Sequence, residues 1–63
     1  MKEKIVYSVE IAGYQLLLVN AYKHGFYVVY GVQIKSGLSL LEAAHEFGEC
    51  MIHALALDGK LDN

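Results

Sequence analysis

The fold is decided in residues 26–42, FYVVYGVQIKSGLSLLE, where a β-strand pattern gives way to the start of a helix. Apolar side chains alternate over residues 26–34, which is the period of a strand. Ser39-Leu40-Leu41-Glu42 then matches a capping box, in which the serine hydroxyl and the glutamate carboxylate bind the first free backbone amides of a helix. Ser36-Gly37 lies between the strand and the helix and allows the chain to reverse direction there. The stretch predicts a strand followed directly by a helix.

Two further strands are predicted upstream of this stretch. Residues 4–11 alternate between apolar and polar side chains, and residues 14–22 carry apolar side chains on both faces. The connections at Ala12-Gly13 and Lys23-His24-Gly25 each contain a glycine, which can adopt positive φ in a tight turn. Strands joined by such short connections usually pair in sequence order. We therefore expect a three-stranded antiparallel β-meander.

The helix is predicted over about residues 40–57 and should end near Asp58-Gly59, because glycine suits the left-handed conformation after a helix. The apolar side chains with the helical spacing that should lie on the sheet are Leu40, Ala44, Phe47, Met51 and Leu55. The predicted fold is α+β, a single domain over residues 1–63 in which one C-terminal helix packs on a three-stranded sheet.

The composition indicates more apolar surface than one copy of the chain can bury. Hydrophobic residues make up 56% of the 63 residues, and a chain of this length buries only about 60% of its unfolded surface. A disulfide within the chain is impossible, because Cys50 is the single cysteine. Surplus apolar surface that is patterned is usually covered by self-association or by a protein partner. The expected state is a homodimer.

Residues of the dimer interface are expected on two elements. On the helix, Leu41, Gly48 and Ile52 form a flanking row that three strands would not cover; on the second strand, Leu17 and Val19 share one face. Glycine inside a helix costs roughly 1 kcal/mol relative to alanine, so Gly48 needs a compensating contact. Two explanations are open: a helix crossing in the dimer, or relief of a clash with an aromatic ring of its own sheet.

The charge is nearly balanced but unevenly placed along the chain. The net charge is −2, and the chain contains five lysines and no arginine, so direct nucleic-acid binding, which needs several phosphate contacts, is not expected. The helix is the acidic element, and its candidate residues for binding a protein partner are Glu42, Glu46, Glu49 and His53, here called the acidic face. Tyr27 is a further candidate, because tyrosine is favoured at interfaces.

Catalytic chemistry is not expected of this chain. His45, Glu49 and His53 recur every four residues on the helix, but ligands in three successive turns span about 12 Å, too far for one ion. These three side chains are better explained as part of a solvated polar face of the helix than as metal ligands. Cys50 has no anion-binding loop beside it, the two nearby histidines have no evident orienting partner, and the six glycines form no phosphate-binding cluster. No catalytic residue, metal site or cofactor is predicted.

The expected location is cytoplasmic, with no membrane partner. No apolar run reaches the roughly 18 residues of a membrane span. Residues 1–4, MKEK, lead directly into the first strand and do not resemble a signal peptide. The single cysteine also fits a reducing compartment.

Two local motifs resemble known small proteins. Gly37-Leu38-Ser39-Leu40, which follows a strand at residues 27–30, is similar to the helix start of small phage-encoded host-inhibitor proteins, in particular the dimeric phage inhibitors of uracil-DNA glycosylase. This resemblance implies a homodimer that presents carboxylates as phosphate surrogates beside an apolar pocket, with Glu42, Glu46 and Glu49 in the acidic role. It would act in the host cytoplasm on a larger host protein.

The second resemblance is to the HicB-like antitoxin domain. Residues 25–29, GFYVV, correspond to its second strand, and residues 39–44, SLLEAA, correspond to its helix start. This implies an antitoxin or regulatory subunit that acts with a second polypeptide. The function expected first is a non-enzymatic protein that inhibits or sequesters a host protein in phage counter-defence, and the antitoxin role is the alternative.

Overall fold

The computed structural model describes residues 2–61, which form a four-stranded antiparallel sheet with one long helix packed on it. The elements are β1 (Lys4–Ile11), β2 (Tyr14–Asn20), a short 3-10 helix (Tyr22–His24), β3 (Phe26–Tyr30), β4 (Gln33–Leu38) and α1 (Leu40–Leu57). The strands pair in chain order, β1-β2-β3-β4. The α+β class and the antiparallel meander with a C-terminal helix are confirmed, whereas the number of strands is wrong.

The sheet has one more strand because the segment predicted as a single strand over 26–34 reverses at Gly31-Val32. Gly31 has a φ of +60°, which the first central residue of a type II′ hairpin turn requires, and Tyr30 pairs with Gln33 across the turn. Val32 is 99% exposed in this turn. The apolar alternation concealed the reversal, because a lone glycine between apolar residues is a weak turn signal.

The second strand ends at Asn20, two residues before its predicted end. The Asn20 side-chain oxygen accepts a hydrogen bond from the Tyr22 backbone N–H at 2.8 Å, and Tyr22 adopts a φ of +57°. The chain thereby leaves the sheet and returns through Gly25. A Cβ atom on Gly25 would lie 2.8 Å from the Leu38 carbonyl oxygen, so the close approach of β3 and β4 requires glycine there.

The core lies between the sheet and α1. Its buried residues are Leu16, Leu18, Val28, Ala43 and Phe47, and the half-buried residues packed against them are Val9, Phe26, Tyr30, Leu38, Cys50 and Met51. At the β1 side, the ring of Tyr7 meets the ring of Phe47 edge-on, with the centroids 5.6 Å apart. One face of the sheet is therefore covered by the helix. No helix formed by residues 2–61 packs on the other face, here called the open face.

The helix packs through only part of the predicted row: Phe47 is buried and Met51 packs against the core as predicted. Its buried residues are Ala43, Phe47 and Ala54, whereas Leu40 is 56% exposed and Ala44 is also exposed. Alanines at two of the three buried positions let the helix lie close to β2 and β3. The predicted row included Ala44 and Leu55, whereas the observed packing face is turned around the helix toward Ala43 and Ala54.

Candidate functional site

The capping box at the start of α1 is formed as predicted. The Glu42 backbone N–H donates to Ser39 Oγ at 3.1 Å, and the Ser39 backbone N–H donates to Glu42 Oε1 at 2.9 Å. This backbone hydrogen bond holds the pKa of Glu42 below its usual value, because it favours the charged carboxylate. Glu42 is therefore an ionised group whose position is fixed by the helix start.

Glu46 joins the acidic face to the edge strand β4. One carboxylate oxygen, Oε1, lies 3.3 Å from Lys35 Nζ, and the other accepts a hydrogen bond from Cys50 Sγ at 3.6 Å. Partial burial, followed by this hydrogen bond, raises the pKa of the Cys50 thiol. Since the thiolate is the reactive form, Cys50 is a poor nucleophile in this setting.

Glu49 and His53 contact different residues. Glu49 Oε2 lies 3.2 Å from His45 Nε2, while His53 Nδ1 lies 2.8 Å from the Tyr30 hydroxyl. Within residues 2–61, no group of three or more His, Cys, Asp or Glu side chains is placed to hold a metal ion. The structure thus brings the four acidic-face residues to one flank of α1, and each has a contact within the chain.

A groove of about 520 Å³ lies beside the acidic face, between the start of α1 and β4. It combines apolar and charged side chains: Lys35, Leu38, Leu41, Glu42, His45 and Glu46. Lys35 and Leu38 were not among the predicted site residues, because they belong to the strand that the sequence pattern concealed. The signal that could have found them is Gly31, whose positive φ starts the hairpin into β4.

Tyr27 lies on the open face of the sheet, away from the acidic face. It pairs with Val19 in the sheet, and its hydroxyl donates a hydrogen bond to Glu3 Oε1 at 2.8 Å, which is the main cause of its raised pKa. Val19 is 2% exposed and Leu17 is half-buried. Tyr27 therefore forms a separate candidate contact from the carboxylates of the acidic face.

The other flank of α1 carries an apolar row, here called the helix stripe: Leu41, Ala44, Gly48, Ile52 and Leu55. Leu41 is 80% exposed and Ile52 is 61% exposed. A Cβ atom on Gly48 would meet nothing within 4 Å. The explanation of Gly48 by a clash with its own sheet is therefore wrong. The residues predicted for the dimer interface fall on two surfaces, the helix stripe and the open face.

Comparisons with protein-family models, with curated proteins and with solved structures find no match for this chain. The resemblances to phage host-inhibitor proteins and to HicB-like antitoxins therefore remain predictions from sequence. Of the helical segments in residues 2–61, none has the length and apolarity needed to cross a membrane.

Proposed function

We propose that this protein is a non-enzymatic binding protein, which acts as a homodimer and inhibits or sequesters a larger host protein. The observation that supports this function is the groove at the start of α1. Apolar Leu38 and Leu41 lie beside the carboxylates of Glu42 and Glu46 in a cavity of about 520 Å³. Such a combination suits a partner that inserts an apolar side chain next to a basic one.

The two carboxylates are held in position before any partner binds. Glu42 is fixed by its hydrogen bonds with Ser39, and Glu46 is fixed by Lys35 and Cys50. A surface ordered in advance loses less conformational entropy on association, and this raises affinity. The groove is therefore expected to bind a partner more tightly than an acidic surface with freely moving side chains would.

The inhibitory role in phage counter-defence follows from the resemblance in residues 37–40. Two of these residues take part in the groove: Leu38 lines it, and Ser39 holds the Glu42 carboxylate. The resemblance implies carboxylates beside an apolar pocket, and the groove supplies both features side by side. We assign the host-protein contact to the groove for this reason.

The binding function is tested by affinity capture from bacterial lysate, followed by titration of the captured protein after purification. The test variants are Glu46→Gln and Leu38→Ala, which remove one charge and one apolar side chain from the groove. Leu41 is left unchanged because it also belongs to the helix stripe. Glu10→Gln, at an exposed site on β1, is the charge-matched control, and Val32→Ser, in the exposed β3–β4 turn, is the apolar control.

We expect each groove variant to weaken binding at least tenfold, while both controls bind within about twofold of the natural sequence. Equal affinities for all four variants would remove the groove from the proposal. If no protein is retained by the natural sequence beyond the level of a blank resin, the binding function itself is contradicted.

A further inference from the structure

We infer that two copies of this chain pair through their helices, which cross in antiparallel orientation at Gly48. The inference rests on the homodimer proposed above and names the surface that forms it. It assigns the helix stripe to a second copy of the same chain and leaves the open face outside the contact. Leu41, at the outer end of the stripe, also lines the groove, so the two surfaces adjoin there.

Gly48 is the first observation that points to a second helix. It lies inside α1, where glycine is disfavoured, and among residues 2–61 no atom outside the helix lies within 4 Å of the position a Cβ would take. The described part of one copy therefore offers no packing reason for glycine at this position. The close approach of a second helix backbone is such a reason, because only glycine leaves the space for it.

The second observation is the symmetry of the helix stripe about Gly48. Ala44 and Ile52 lie four residues before and after Gly48, and Leu41 and Leu55 lie seven residues before and after it. A two-fold dimer requires a surface that is complementary to itself. In an antiparallel crossing, Ala44 of one copy lies against Ile52 of the other, and Leu41 lies against Leu55. Small residues thus meet large ones on both sides of the crossing.

The exposed apolar area continues beyond the stripe on this side of the molecule. A stable interface buries about 800 Å² on each partner, roughly a sixth of the 4557 Å² accessible surface of this chain. Tyr7 of β1, whose ring meets that of Phe47 in α1, is 54% exposed, and Leu40 at the start of α1 is 56% exposed. The stripe itself contains no charged residue, so pairing there removes no charge from water.

The open face is less suited to a symmetric contact. Tyr27 is hydrogen-bonded there to Glu3, and Glu10 lies on the same face of β1. Pairing two open faces would take these carboxylates out of water, which is unfavourable. Val19 also contributes little area, because it is 2% exposed within one copy.

The dimer contact is tested by sedimentation equilibrium at several micromolar concentrations. Gly48→Leu and Ile52→Gln should each raise the dimer dissociation constant at least tenfold. Ile34→Gln is the matched control, because Ile34 lies on the open face and is 64% exposed, close to the 61% of Ile52. It should change the dissociation constant less than twofold. Circular dichroism spectra confirm that each variant keeps its fold.

Cross-linking reports the geometry independently of affinity. In a Cys50→Ser background, a chain carrying both Ala44→Cys and Ile52→Cys should form intermolecular disulfides under mild oxidation, since residue 44 of one copy lies against residue 52 of the other. Ile34→Cys should not cross-link. A natural chain that sediments as a monomer at these concentrations contradicts the homodimer and this inference together. A dimer that survives Gly48→Leu and cross-links through residue 34 overturns the helix crossing alone.

Discussion

The two flanks of α1 differ in what completes their surface. On the acidic flank, polar side chains connect the helix to the neighbouring strands, from His53 to Tyr30 and from Glu46 to Lys35. On the other flank, within residues 2–61, the helix stripe offers apolar side chains that remain exposed, with Leu41 at 80%. Part of the exposed apolar surface of this chain, at Leu41 and Ile52, thus lies on the flank without these polar contacts. Within one copy, polar side chains of the acidic flank bind the sheet, whereas Leu41 and Ile52 of the helix stripe stay exposed to solvent.

The largest effect is expected from Phe47→Ala, which removes the buried ring between the two flanks. Phe47 is 7% exposed and contacts the Tyr7 ring, so its loss should reduce the free energy of unfolding by about 3–5 kcal/mol. Urea unfolding at a dilution where the chain is monomeric measures this. Ile52→Ala, on the exposed flank, should change the monomer by about 0.5 kcal/mol or less. Equal losses for the two variants would remove the distinction between buried row and exposed flank.

A pair of glycine substitutions sharpens the same comparison. Gly25→Ala should lower the free energy of unfolding by more than about 1 kcal/mol, because the new Cβ meets the Leu38 carbonyl oxygen at a positive φ. Gly48→Ala should raise it in the monomer by up to about 1 kcal/mol, since helix propensity improves and space is free. Thermal melts at low concentration give both values. A loss at Gly48 would show that the helix stripe is already packed within one copy.

The smallest effects concern the capping box on the acidic flank. Ser39→Ala should reduce the free energy of unfolding by about 1 kcal/mol at neutral pH. The lowered pKa of Glu42 means that its contribution is present above the unfolded pKa and is lost as the pH falls through the folded one. The natural sequence should therefore lose more stability on acidification than Glu42→Gln does, as measured by urea unfolding at a series of pH values. Ile52→Gln, the control, should lose as much stability on acidification as the natural sequence. If Glu42→Gln also loses the same amount, the Glu42 carboxylate does not contribute to the pH dependence of stability.

Local signals account for the part of the fold that was predicted correctly. The start of α1 depends on Ser39 and Glu42, three residues apart, whose hydrogen bonds form within the first turn. The hairpin at Ala12-Gly13 depends on two adjacent residues with positive φ. These features need no distant contact, so composition and spacing were sufficient to predict them.

The site was predicted less completely, because it combines residues distant in sequence. The acidic face was recognised from helical spacing alone. Its groove also needs Lys35 and Leu38 from β4, and Tyr27 faces the other side of the sheet. Which residues share a surface depends on strand register, and that register changes when a hairpin turn such as Gly31-Val32 is missed.

By itself, the sequence determined the α+β class, the order of meander and helix, the helix cap and the excess of apolar residues, because these follow from local hydrogen bonding and side-chain periodicity. The tertiary structure alone decided the fourth strand, the burial of Ala43 and Ala54 in place of Leu40 and Ala44, and the exposure of the helix stripe. The physical reason is that apolar periodicity shows which side chains can be buried. Only the close packing of this helix on β2 and β3 selects the ones that are.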